Sequence, residues 1–292
     1  MEVSMDTEKW KMLVESIDRG SLAAAAEALG YTVSGISKSV AALEKELGFE
    51  LLYRSKSGVV ATRECERLIP QARELLFVQK NIEQMSAQIR GADSGDIVIG
   101  TAYSHYYGWL TRATSAFHEK HPGVQFHIIS GYSSQLAQML VEHRLDFAII
   151  SRREGDFEWM KLCQDPVVAM IPKGHRLSGR KSVPISIFEE EPFVDILPGH
   201  DTDHMHVLGR CGVKPNVQYT TMDVTAAYAI VGAGLALCMT NSINIMDNYR
   251  EVVHIPVKPT QTIEIGVAFA RQLPPAAKEF IQFLDEYNSL HN

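Results

Sequence analysis

Cysteine is scarce: Cys65, Cys163, Cys211 and Cys238 are scattered, with no C-x-x-C pair. That spacing excludes a zinc ribbon and a disulfide framework and predicts ordinary buried thiols. No stretch approaches the ~18 apolar residues needed to cross a bilayer, so no membrane partner is expected. The first residues hold Glu2 and Asp6 but no basic segment running into an apolar one, so no secretory signal is read and a cytoplasmic location is expected. A P-loop, a nucleophile elbow and H-E-x-x-H are all missing, which argues against an enzyme, and no cofactor is expected. Excess base is missing too. The net charge is −7 over 292 residues, and the first 64 hold eight bases against ten acids. Bulk charge therefore does not predict nucleic-acid binding, and any DNA contact must be local.

What is present is 46% hydrophobic and 22% charged residues, enough core for two or three units of ordinary size. Leu13, Val14 and Ile17, then Leu22, Ala25, Ala26 and Leu29, recur at helical spacing and predict two short helices separated by Gly20-Ser21. Gly30-Tyr31-Thr32 breaks the pattern. Thr32 is placed to cap a third helix in which Ile36, Val40, Leu43 and Leu47 form one buried stripe. The opposite face carries Ser34, Ser37, Lys38, Ala41 and Lys45. Such a short-chained polar face suits a helix entering a major groove ~12 Å wide, and it also suits a solvated helix. Two extended pieces around Ser57-Gly58 then predict a β-hairpin wing, with Arg54 and Lys56 where a wing meets phosphate.

The run Gly20-Ser21-Leu22-Ala23-Ala24-Ala25-Ala26-Glu27-Ala28-Leu29, then Ser34 to Val40, Leu43 to Gly48, Leu52-Tyr53-Arg54 and Thr62, resembles the LysR-type transcriptional regulator family. The resemblance implies that Thr32, Val33, Ser34, Ser37 and Lys38 read double-stranded DNA, with Arg54 and Thr62 supporting the wing and its phosphate contacts. The family commonly has a base in the wing turn and Glu-Ala-Gly after the threonine. This chain has Ser57-Gly58 and Arg63-Glu64-Cys65 instead, which leaves Lys56 and Arg63 as substitutes.

From Arg63 to Arg90 there is no glycine, and Leu75, Val78, Ile82, Met85 and Ile89 fall at steps of three and four. This heptad-like seam predicts a self-associating helix. Family members dimerise through such a helix, so a homodimer and a homotetramer are expected, with DNA bending or RNA polymerase contact as the output. Gly91 to Gly95 ends the segment.

Beyond it, strands alternate with helices: Ile97 to Gly100, Tyr107 to Lys120, Val124 to Ile129, Ser133 to Glu142 and Asp146 to Ile150, then a second set from Val167. This alternation predicts parallel sheet in two lobes. The resemblance continues through Gly131, Leu145 to Ile149, Pro172 to His175 and Val231 to Ala236, and implies a fold like that of periplasmic binding proteins, with an effector in the cleft. The expected organisation is thus an all-α winged helix-turn-helix over residues 1–64, a long linker and dimerisation helix over 65–91, and a two-lobed α/β effector domain over 92–292. Lobe I is expected at about 92–165 and 267–292, and lobe II at about 166–266.

Open sheets of this kind bind ligands at the carboxyl ends of strands. Those edges select Thr101, Tyr103, Ser104, Tyr132, Ser133, Arg152, His200, Asp201, Thr202 and Asp223 for a small-molecule effector. Arg152 and Arg153 argue for one carboxylate on the ligand, whereas Asp201 and Asp223 argue against several. The segment from His200 to His206 packs three imidazoles and two carboxylates into seven residues. It raises a metal-sensing alternative through His200, His204 and His206, although on a helix His206 would point away from the other two. A solute-binding α/β protein with a helical N-terminal extension is the competing class.

Overall fold

The computed structural model describes residues 6–91 and 94–291. The chain divides into two units, Met1–Ala92 and Asp93–Asn292.

In the first unit each helix begins at a residue suited to capping it. Asp6 accepts from the Glu8 N–H at 3.1 Å to open α1 (Thr7–Asp18). Ser21 caps α2 (Leu22–Leu29), and Thr32 accepts from the Gly35 N–H at 3.1 Å to open α3 (Val33–Leu47). These side-chain oxygens satisfy N–H groups that have no partner within the helix. Leu13 of α1 and Ile36, Val40 and Leu43 of α3 are fully buried in one core, so the α3 stripe faces inward as its spacing predicts.

The wing is an antiparallel hairpin of β1 (Leu52–Ser55) and β2 (Gly58–Ala61), with Tyr53 opposite Val60. Its turn needs Gly58. The residue sits at φ +131°, and a Cβ there would lie 2.2 Å from the Gly20 carbonyl oxygen. That oxygen accepts the Val59 N–H at 2.9 Å, so the wing rests on the turn between α1 and α2. The long α4 (Arg63–Ile89) follows directly and is fastened to α1 by the buried Arg73, whose Nη1 donates to Asp18 at 2.9 Å.

The second unit has a central sheet in the order β4-β3-β5-β12-β6-β11-β7. Its strands are β3 (Gly95–Thr101), β4 (Val124–Ser130), β5 (Phe147–Ser151), β6 (Glu158–Pro172), β7 (Val183–Pro184), β11 (Val252–Lys258) and β12 (Thr262–Phe269). A further strand, β10 (Cys238–Asn241), pairs with β6, and β8 (Pro192–Ile196) pairs with β9 (Asn216–Thr221). Helices α5 (Tyr107–His118), α6 (Ser133–Val141), α7 (Ile187–Glu190), α8 (Asp203–Arg210), α9 (Val224–Gly232) and α10 (Pro275–His291) cover the faces.

The expected parallel sheet is in fact mixed. β3 runs parallel to β4 and β5, but β12 is antiparallel to β5 and β6, and β10 and β11 are antiparallel to β6. The cause is the 15-residue β6, which passes from one lobe to the other. Its first half pairs with β12, and its second half, from Val167, pairs with β10 and β11. A chain that leaves one lobe on β6 must return beside it in the opposite direction, and β12 does so. The apolar run Val167 to Ile171 signals only the second half of β6, because Glu158 to Gln164 is half-exposed or exposed throughout and its apolar residues come in pairs between polar ones, without the alternation of a strand.

Candidate nucleic-acid interface and effector cavity

On α3 the residues expected to read DNA are grouped on one side. Thr32, Val33, Ser34 and Lys38 are exposed and Ser37 is half-exposed. The wing is tied to this face: Arg54 on β1 donates through Nη1 to Ser37 Oγ at 3.0 Å and through Nη2 to Glu44 Oε2 at 3.3 Å. Glu44 Oε1 in turn accepts the Leu51 and Leu52 N–H groups at 2.9 and 3.2 Å. One acid within α3 thus fixes the register between helix and hairpin, and it brings the Arg54 cation beside Ser37. Lys56 is exposed in the wing turn. Thr62 differs from the others because it is buried, donates to the Glu50 carbonyl at 2.9 Å and caps α4 at the Cys65 N–H. Its hydroxyl is committed to the scaffold and is not open to a ligand.

In the second unit, the carboxyl ends of β3, β4, β8 and β10 border a cavity of about 520 Å³. Thr101, Tyr103, Ser104, Tyr132, Ser133 and Thr202 line it, as the strand-edge reading expects. Arg152, His200, Asp201 and Asp223 lie outside its lining. Arg152 stacks over the Trp159 ring at 4.8 Å. His200 Nδ1 bonds the Tyr132 hydroxyl at 2.8 Å, and Asp201 accepts from Ser134. Asp223 caps α9 at the Ala226 N–H, 3.0 Å away, and the capping N–H groups hold its carboxyl below the ordinary range. Leu197, in the cavity wall after β8, has φ +60°, an unusual conformation for a residue with a Cβ.

The three imidazoles of the His200 to His206 segment do not converge. His200 meets Tyr132, the buried His204 bonds Asp195 Oδ1 at 2.9 Å, and His206 lies 3.8 Å from Asp201. Among the described residues no cluster of three or more His, Cys, Asp or Glu is arranged to hold a metal.

The polar centre joins Tyr103, which the strand edges select, to Ser151, Arg153, Asp203 and Asn241, which are not among the selected effector residues. Asp203, the first residue of α8, accepts from Tyr103 at 2.6 Å, Arg153 at 2.9 Å, Asn241 at 2.8 Å and Ser151 at 2.5 Å. Burial by itself would raise the Asp203 carboxyl. The Arg153 guanidinium and the hydroxyl and amide donors outweigh it and hold the group below the ordinary carboxylate range. The Tyr103 phenol is pushed well up, first by burial and then by the Asp203 charge. Thr240 and Asn241 are polar and follow the apolar run that starts at Leu235, so the run itself gives no sign that the strand includes them. Residues 235–237 lead in beside β8, with the Val194 N–H donating to the Leu237 carbonyl, and β10 itself ends at Asn241.

A helix-turn-helix with a wing, a long helix and an α/β domain enclosing a cavity together define a DNA-binding regulator with an effector-binding domain. Residues 7–66 match the lysR-family bacterial regulatory helix-turn-helix, and residues 90–289 match the LysR substrate binding domain. The chain belongs to the LysR family of transcriptional regulators, whose place is the cytoplasm. It is 22% identical over 281 residues to the regulator YvbU of Bacillus subtilis, covering 94% of this chain and 96% of that one. It is 26% identical over 254 residues to CysB of Haemophilus influenzae, covering 83% and 78%. Among solved structures, a full-length OxyR variant from Pseudomonas aeruginosa shares the fold with a TM-score of 0.70 at 18% identity, over 99% of this chain and 96% of that one. CbnR complexed with its target DNA does so at 0.61 and 19%, over 97% and 99%.

Proposed function

We propose that this regulator reads its operator with Thr32, Val33, Ser34, Ser37 and Lys38, and that Arg54 and Lys56 of the wing grip the adjacent phosphates. The supporting observation is the Arg54 contact with Ser37, which joins a phosphate-seeking cation to the exposed side of α3. A homodimer forms along α4, where Val78, Ile82, Met85 and Ile89 are large, exposed and spaced along one side. Two such dimers form a tetramer, so paired reading helices meet an operator with matching symmetry. A small molecule in the 520 Å³ cavity changes the lobe arrangement and thereby DNA bending or RNA polymerase contact. The test is a gel-shift titration of the full chain on its own upstream DNA. Ser37→Ala with Lys38→Ala abolishes the specific complex and leaves salt-sensitive non-specific binding. Specific binding that survives both substitutions refutes the assignment.

A further inference from the structure

The following rests on the reading of the cavity as the effector site. Four side chains from separate places in the second unit aim donors at one point: Tyr103 after β3, Ser151 at the end of β5, Arg153 just beyond it, and Asn241 at the end of β10. A guanidinium, two hydroxyls and an amide converging in this way are what a protein uses to hold a carboxylate. Here the carboxylate belongs to the chain. Asp203 Oδ1 takes Ser151 and Arg153, and Oδ2 takes Tyr103 and Asn241, so each oxygen has two donors. The Arg153 side chain is only 9% exposed and that of Asp203 14%.

We propose that Asp203 is a resident ligand: it fills the carboxylate-binding position of the effector cleft, and the molecule admitted to the remaining space is uncharged. The charge of Arg153 is already met by two acids of the chain, Asp203 at Nη2 and Asp201 at 3.3 Å from Nε, and its remaining hydrogen bonds go to Ser134, Ser151 and the Arg152 carbonyl. A second carboxylate would stand beside Asp203, whose charge Arg153 already meets, and like charges so placed disfavour each other's ionised forms. Among the described residues no lysine or arginine lines the cavity, and its one imidazole, His204, is committed to Asp195. What the wall does offer is neutral. Thr240 is 7% exposed, and its hydroxyl has no hydrogen-bond partner among the described residues. Met239, Met246, Ile196 and Val224 supply apolar surface around it. The matching ligand has an apolar body with a hydroxyl or amide.

The experiment is thermal unfolding of the full chain, wild type and Asp203→Ala, titrated with sodium acetate and sodium benzoate against sodium chloride at equal ionic strength. Removing the carboxylate leaves the donor set empty, so acetate stabilises the variant saturably. The rise is about 3 to 6 °C once acetate is ten times its dissociation constant. Wild type stays unmoved by either acid. A wild type saturably stabilised by acetate or benzoate overturns the proposal, as does a folded variant indifferent to acetate. If Asp203→Ala does not fold, the wild-type titration decides by itself. These readouts concern Asp203 alone. The effector reading is tested separately by Thr240→Phe, which fills the wall and holds promoter output constant across growth conditions if the cavity is the sensor. A variant that still responds sinks that reading and leaves the acetate result standing.

Discussion

Replacing Gly58 by alanine should loosen the whole first unit, and the size of the effect follows from two contacts. At φ +131° an L-residue is strained, at a cost of about 1 to 2 kcal/mol. The new Cβ would also stand 2.2 Å from the Gly20 carbonyl oxygen. Backbone cannot yield there without breaking the Val59 N–H bond to that oxygen, and a buried N–H left unpaired adds about 1 to 2 kcal/mol. The expected loss is about 2 to 4 kcal/mol. Gly30→Ala is the control: it has the same left-handed constraint at φ +71° with nothing within 4 Å of its Cβ, and strain alone costs about 1 kcal/mol. Hydrogen exchange of peptides from residues 7–62 in the intact protein reads the difference, since about 2 kcal/mol of lost stability speeds exchange by opening roughly thirtyfold. Equal protection in the two variants would show that the wing does not lean on the α1–α2 turn.

Asp18→Ala should destabilise the first unit by about 3 kcal/mol, because Arg73, buried in α4, loses the carboxylate it is bonded to. Urea midpoints check this, and an unchanged midpoint would show that the pair contributes little. Burial pushes the Cys238 thiol up to about 12 and the Cys65 thiol up to about 11, so a thiol reagent at pH 8 should modify at most the half-buried Cys163 and Cys211 in the native protein. Four thiols reacting without denaturant would refute that. Acid stability should report on Asp203. Burial opposes its charge but Arg153 and the other donors win, so its folded value lies below its unfolded one. Its stabilisation is complete above about pH 4 and is lost as pH falls through the lower folded value. Asp203→Asn should therefore show a shallower fall in urea midpoint between pH 4 and pH 2, and parallel curves would contradict the cause given.

The helix-turn-helix was legible in the sequence because its signals are local. Capping residues, a glycine at φ > 0 and an apolar stripe three to four residues apart act within one or two helical turns, and Ser21, Gly30, Thr32 and the Ile36 to Leu43 stripe all hold the positions their chemistry predicts. Strand edges carried the cavity reading part of the way: Thr101, Tyr103, Ser104, Tyr132, Ser133 and Thr202 line the space, whereas Arg152, His200, Asp201 and Asp223 turn to other partners. Which side of a loop faces a cavity depends on residues far away in the chain, so spacing could not separate Arg152 from Arg153 or Asp201 from Asp203. The Asp203 centre joins Tyr103, Ser151 and Asn241, separated from it by 100, 52 and 38 positions. Only the crossing of β6 and the return of β12 bring those segments together. Amino-acid order alone determined the DNA-reading unit and the class of the second one, and tertiary structure decided where the charges in the cleft are spent.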